Sequence, residues 1–175
     1  MYALVVWRFD GPDAAKAALP RLEQVVRAGA ARVDDAALVS WRPGVRKPAT
    51  VSLGGLDGPG RLWGGFWGVL LALIFLTPIA GPTFGAAAGA VAGSLADFGV
   101  ADDFVKRVRD EVGPGTSALF VVTALGSADR LDEELGALAG ASIRSMLSPA
   151  QEQHFLEALG DETAPPAPAP GGSGQ

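Results

Sequence analysis

Residues 62–96, LWGGFWGVLLALIFLTPIAGPTFGAAAGAVAGSLA, form a run of 35 residues without a charged side chain. The run exceeds the length of about 18 apolar residues that indicates a membrane helix. Two prolines and a glycine within residues 77–82 interrupt it, and these residue types break helices. The sequence therefore predicts two helices, near 60–77 and 82–98, joined by a tight turn into a hydrophobic hairpin.

The two predicted helices differ in composition. The first is rich in Leu, Ile, Phe and Val, which favour the bilayer centre, whereas the second is mostly Ala and Gly and gains little from lipid. Glycines recur at four-residue spacing on both helices, which lets another backbone approach closely. This predicted helix-packing face consists of Gly60, Gly64, Gly68, Gly81, Gly85, Gly89 and Gly93. We expect a glycine zipper that assembles the chain into a homo-oligomer.

Aromatic and basic side chains flank the run as they do at a membrane boundary, where Trp gathers at the interface and cytoplasmic segments carry Lys and Arg. The predicted interfacial anchors are Arg61, Trp63 and Trp67. The basic residues near the two ends of the run are Arg42, Arg46, Lys47, Lys106, Arg107 and Arg109. We therefore expect the lipid bilayer as a partner, a location at the cytoplasmic membrane, and both termini in the cytoplasm.

The length of each predicted helix leaves its placement open. A helix of 18 residues rises about 27 Å, slightly less than the hydrocarbon core of about 30 Å. A spanning hairpin, a re-entrant hairpin and a glycine-rich core element buried in a soluble oligomer are all compatible with this length. The absence of charge over the whole run favours the two membrane placements.

The flanks of the run alternate strands and helices. Apolar, β-branched stretches predict strands at 3–9, 35–41, 48–53, 117–124 and 141–146. Helical spacing and capping residues predict helices at 12–28, 101–112, 127–139 with Ser127 as the N-cap, and 149–159. Without the run, a strand-helix-strand unit occurs twice, which is the split βαβ or ferredoxin-like arrangement. The predicted fold class is α+β, a ferredoxin-like domain with an inserted glycine-rich hydrophobic helical hairpin.

This prediction divides the chain into four parts. Residues 1–54 and 101–160 are the two halves of the ferredoxin-like domain, with strands 3–9 and 117–124 expected side by side at its centre. Residues 55–100 are the hairpin insert. Residues 161–175 are rich in Pro and Gly, cannot build a core, and are expected to be a disordered tail.

The order of motifs along the chain resembles a known bacterial family. The motifs are FD at 9–10, DAALV at 35–39, GGFWG at 64–68, GAAAGA at 85–90, DFGVADDF at 97–104 and PGTSALF at 114–120. Together they resemble the bacterial predicted membrane proteins of domain of unknown function family 1269, over about residues 2–160. The resemblance implies a membrane protein, and it assigns no activity and no catalytic or binding residue.

Composition excludes several catalytic chemistries. The chain has no Cys and one His, which excludes thiolate and zinc-thiolate chemistry and multi-His metal sites. Asp97, Asp102 and Asp103 could in principle bind a cation through oxygen ligands, but the sequence favours a role in capping a helix. The net charge of −5 gives no support to nucleic-acid binding. We expect no enzyme activity, no cofactor and no metal.

Two functions of different classes fit these features. The first is a non-enzymatic membrane-associated protein that self-assembles through a glycine-zipper helical hairpin. The alternative is a membrane-anchored ferredoxin-like sensor or small-ligand-binding module. A basic or aromatic cluster in a concave site on the sheet would favour this alternative, but core packing explains Trp7, Phe9 and Trp41 equally well.

Overall fold

The structure is a computed structural model that describes residues 1–54, 64–75 and 100–146. These residues form an α+β fold of five antiparallel strands and four helices. In chain order the elements are β1 (Tyr2–Asp10), α1 (Ala14–Arg27), β2 (Asp35–Ser40), β3 (Ala49–Ser52), α2 (Gly64–Phe75), α3 (Asp102–Glu111), β4 (Thr116–Ala124), α4 (Leu125–Leu135) and β5 (Ala141–Met146).

The five strands form one sheet in the order β3-β2-β4-β1-β5. Strand β4 pairs antiparallel with β1, with Tyr2 opposite Ala124 and Asp10 opposite Thr116. It also pairs antiparallel with β2, while β5 and β3 complete the two edges. The prediction that strands 3–9 and 117–124 lie side by side is therefore confirmed. The sheet interleaves strands from before and after the uncharged run.

The central strands β1 and β4 are buried on both faces of the sheet. Side chains alternate between the two faces of a strand, so a continuous apolar stretch such as β1 buries both sides. Val5 and Trp7 face helices α1 and α4, whereas Leu4 and Val6 face helices α2 and α3. Leu22 of α1 and Leu131 of α4 fill the first layer and are fully buried. The described residues therefore build three layers, with helices on each side of the sheet.

A polar network connects α4 to the sheet. The buried Trp7 Nε1 donates to Asp132 Oδ1 at 2.6 Å, and Ser142 Oγ donates to the same oxygen at 2.9 Å. The Arg144 guanidinium donates to Asp129 and Asp132. Hydrogen bonding to Asp129 raises the pKa of Arg144 above its ordinary value. Asp132 thus supplies the acceptor that a buried indole N–H needs.

The structure confirms the predicted strands, with small shifts at their ends, and confirms helices near 12–28 and 101–112. The N-cap role predicted for Ser127 is wrong. Strand β4 continues directly into α4 with Ala124 at the N-cap, so Ser127 lies inside the helix, which ends at Leu135. Ser127 Oγ instead accepts a hydrogen bond from the backbone N–H of Arg32 at 3.0 Å.

Helix α2 occupies the position predicted for the first helix of the hairpin. The second predicted hairpin helix at 82–98, the predicted helix at 149–159 and the predicted tail at 161–175 lie outside the described residues.

We expect Asp132→Ala to lower the free energy of unfolding by about 2 kcal/mol, because it leaves the buried Trp7 N–H without its acceptor. Asp132→Asn keeps the Oδ1 acceptor and should cost less. The control is Asp110→Ala at an exposed position of α3, expected to change the same quantity by less than about 0.5 kcal/mol. Urea unfolding of the purified variants measures the difference. Equal midpoints for Asp132→Ala and Asp110→Ala would contradict the role of the network.

Candidate functional site

Helix α2 is the described part of the uncharged run, and it is apolar along its whole length. Its inner residues recur at three- and four-residue spacing, which places them on one face of the helix. They are Trp67, Leu70, Leu71, Ile74 and Phe75, each no more than 6% exposed. This face packs in one cluster with Val6, Val39 and Phe120 of the sheet and Val108 of α3. Helix α2 is therefore a core layer of the domain.

Trp67 connects α2 to the sheet by a ring contact and a hydrogen bond. Its ring meets Phe120 edge-to-face with the centroids 6.2 Å apart, and the side chain is 2% exposed. Its Nε1 donates to Asp35 Oδ1 at 3.2 Å, and Asp35 is fully buried at the start of β2. Buried polar groups need such partners. An interfacial anchor needs an indole at the surface, so an anchoring role for Trp67 requires α2 to leave the sheet.

Arg109 of α3 binds the last turn of α2. Its Nε donates to the carbonyl oxygen of Ile74 and its Nη2 donates to that of Leu73, both at 2.9 Å. The carbonyls of a final helical turn have no partner within the helix, and a cation there also complements the helix dipole. Arg109 therefore attaches α3 to α2 close to Phe75. Sequence reasoning had placed this residue only among the basic flanks.

The connection between β2 and β3, residues 41–48, is a basic hairpin that adjoins the end of α2. Trp41 contacts Phe75 edge-to-face at a centroid distance of 5.7 Å, and its Nε1 donates to the carbonyl of Val45 at 2.8 Å. The hairpin turns at Gly44, whose φ of 78° lies in the left-handed region that favours glycine. The indole of Trp41 thus joins the hairpin to the last residue of α2.

Two small residues, Gly68 and Ala72, lie on one side of α2. Gly68 is exposed, and a Cβ added there would meet no atom within 4 Å. Gly68, Leu71 and Ala72 border a groove of about 180 Å³ whose other wall includes Lys47 and Pro48 of the basic hairpin. Since Gly68 and Ala72 are four residues apart, they form a small-residue surface on one side of the helix.

The predicted site residues are only partly described. Gly64 is the first residue of α2, Gly68 is exposed on its surface, and Trp67 lies in the core. The other members of the predicted packing face and anchors lie outside the described residues, namely Gly60, Arg61, Trp63, Gly81, Gly85, Gly89 and Gly93. None of the described helices combines the length and apolar character that crossing a bilayer requires.

Other polar residues of the described part serve structural roles. Ser117 Oγ accepts from the backbone N–H of Ala15 at 2.8 Å and donates to the carbonyl of Gly11 at 2.7 Å, which positions the start of α1. Asp102 and Asp103 are exposed in the first turn of α3, where carboxylates favour the helix dipole. Within residues 1–54, 64–75 and 100–146, no three acidic or His side chains gather as a metal site.

Comparison with protein families identifies the chain. A family model described as Protein of unknown function (DUF1269) matches residues 61–160, more than half of the chain. The chain belongs to this family. The match includes α2, α3, β4, α4 and β5, while β1, α1, β2 and β3 precede it. The comparisons with curated proteins and with solved structures found no match.

We expect Arg109→Met to weaken the attachment of α2, because it removes two hydrogen bonds to carbonyls while keeping an apolar stem. The free energy of unfolding should fall by about 1 kcal/mol, and amide exchange in α2 should accelerate. Arg107→Met on the same helix is the matched control, since that side chain is exposed. Urea unfolding and hydrogen exchange of both variants test this. Equal exchange in α2 for the two variants would contradict it.

Proposed function

We propose that this is a non-enzymatic, membrane-associated protein that self-assembles through the glycine faces of a helical hairpin. One observation supports the proposed membrane topology. Strands β1, β2 and β3 precede the uncharged run and β4 and β5 follow it, yet all five belong to one hydrogen-bonded sheet. Strands of one sheet lie on one side of a membrane, so the chain must return to the side from which it left. With α2 held on the sheet, residues 76–96 are too few for two crossings of about 20 residues each, so we propose a re-entrant hairpin that enters and leaves on the same side.

The arrangement of the sheet also supports a ferredoxin-like core. Four strands follow the order β2-β4-β1-β5, with α1 between β1 and β2 and α4 between β4 and β5. Two strand-helix-strand units interleaved in this way correspond to the split βαβ arrangement. Strand β3 extends it at one edge, and α2 and α3 cover the face opposite α1 and α4.

Basic residues on both sides of the run support a cytoplasmic location for this domain and for both termini. Arg46 and Lys47 lie on the basic hairpin before the run, and Lys106 and Arg107 lie exposed on α3 after it. Segments that stay in the cytoplasm are enriched in such residues. The basic hairpin and α3 belong to the same folded domain. All four charges therefore lie on the same side of the membrane in the proposed topology.

The inner face of α2 packs on the sheet, so membrane contact falls to other parts of the uncharged run. Residues 76–96 continue the sequence after α2 for 21 residues without a charge. The outer side of α2, with Gly68 and Ala72 beside an open groove, offers a surface on which a second helix can pack closely. These two features support membrane association and self-assembly respectively.

The alternative function, a sensor with a ligand on the sheet, has less structural support. Helices cover both faces of the sheet in the described residues, and the clusters between the layers are apolar. Trp7 and Phe9 lie in one of these clusters, at 0% and 2% exposure. The groove of about 330 Å³ between α3 and β5 is lined by side chains of both charge signs, including Arg107, Asp110 and Glu111.

Membrane association predicts that the full chain stays in membranes washed with alkaline carbonate, because the uncharged run is held by the hydrophobic effect rather than by surface charge. Reporter domains fused at Met1 and at Gln175 should both report the cytoplasm. A carbonate-soluble species obtained without detergent would overturn membrane association. Opposite orientations of the two reporters would overturn the hairpin topology.

Self-assembly predicts that Gly68→Leu reduces oligomer size in mild detergent, because the larger side chain holds an approaching helix away from α2. An added Cβ would meet no atom within 4 Å and Leu favours a helix more than Gly does, so the unfolding midpoint should not fall. Gly126→Leu is the matched control, since Gly126 is also exposed in a helix, α4, with no atom within 4 Å of an added Cβ. Light scattering measures the oligomers. Unchanged assembly of Gly68→Leu would remove α2 from the interface.

A further inference from the structure

The basic hairpin, residues 41–48, concentrates positive charge on an acidic protein. Its sequence WRPGVRKP contains three basic residues and no acidic residue, whereas the whole chain has a net charge of −5. Arg42 lies 3.9 Å from the Asp13 carboxylate. Arg46 and Lys47 are exposed and form no ion pair with another described residue. Two cationic side chains are therefore available to an external anion.

Hydrogen bonds connect the base of the hairpin to the start of β4 and close its loop. At its base, the backbone N–H of Trp41 donates to the carbonyl of Thr116 at 2.9 Å, and Gly115 donates to the carbonyl of Trp41 at 2.7 Å. The Trp41 indole closes the loop on Val45, as described above. A preformed surface loses little conformational entropy when it binds.

Apolar groups accompany the charges on this surface. Val45 is 47% exposed in the hairpin and Val51 is 53% exposed on the adjoining edge strand β3. Lys47 and Pro48 also line the groove beside Gly68 and Ala72 of α2. The surface thus combines cationic and apolar side chains, which is the composition of segments that lie at the interface of anionic membranes.

The position of the hairpin relative to the uncharged run identifies the partner. Trp41 of the hairpin contacts Phe75, the last residue of α2, and the chain continues from there into the uncharged residues 76–96. Any bilayer that receives those residues approaches the domain at this point. The basic hairpin therefore lies where the headgroups of that bilayer must be.

We propose that the basic hairpin docks the domain onto the headgroups of anionic lipids, with Arg46 and Lys47 as the contacting cations and Val45 entering the interface. This inference rests on the proposed membrane association and specifies which lipid surface the domain prefers. Each basic side chain near an anionic surface strengthens binding about fivefold, so the pair accounts for about 25-fold.

The test is flotation of the full chain with vesicles of phosphatidylcholine alone and of phosphatidylcholine mixed with phosphatidylglycerol, at low salt. We expect tighter binding to the mixed vesicles. The double variant Arg46→Gln/Lys47→Gln should bind the mixed vesicles about 25-fold more weakly. Its binding to phosphatidylcholine vesicles should not change. The matched control is Arg27→Gln/Arg32→Gln, which removes the same charge from exposed positions at the end of α1 and beyond it. This control variant should keep most of its preference for the mixed vesicles.

The outcomes separate this inference from the proposed function. Absence of the unmodified chain from both kinds of vesicle would overturn membrane association itself. Equal binding to both vesicles, or equal losses for the two double variants, would overturn docking by the hairpin while membrane association stands. Unfolding midpoints of the two double variants should match that of the unmodified chain, which ties any difference in flotation to the surface.

Discussion

Antiparallel pairing of β4 with β1 and β2 is the constraint on which the rest of the structure depends. It joins the two flanks of the uncharged run, and it brings the two most apolar strands to the centre of the sheet. Because these strands are apolar on both faces, each face needs a cover. Helices α1 and α4 cover one face, and α2 with α3 cover the other. The sheet thus explains why part of the uncharged run is a core element.

Helix α2 has two sides with different surroundings. Its inner side is fixed by apolar packing, by the hydrogen bond from Trp67 to Asp35, and by Arg109 at its final turn. A second side carries Gly68 and Ala72, which lie next to the basic hairpin. An apolar helix can therefore belong to a folded domain and still present a surface to lipid or to another helix. The proposed membrane association uses the residues that follow α2, and the proposed self-assembly uses the side of α2 that carries Gly68 and Ala72.

Local patterns in the sequence predict most of the described fold. Strand β1 was predicted from the β-branched stretch at 3–9, and helix α1 from the helical spacing at 12–28. Such patterns succeed because periodicity reports which side of an element is buried. The same periodicity does not report what buries it, so Trp67 in an apolar helix fits lipid and a sheet face equally well. Asp35 and Arg109 were not predicted as partners of α2, since contacts between residues far apart in sequence leave no local pattern. For the contact with Trp67, the available signal in the sequence was Asp35, an acidic residue at the start of an apolar strand.

The most direct test of this account is whether α2 stays on the sheet when the protein is bound to a membrane. Nuclear Overhauser effects between the Trp67 indole and the Phe120 ring measure this in nanodiscs that contain phosphatidylglycerol. Because the ring centroids are 6.2 Å apart with the edge of one ring toward the other, we predict a cross-peak between them. Loss of that cross-peak, together with new cross-peaks from lipid acyl chains to the Trp67 indole, would contradict the account.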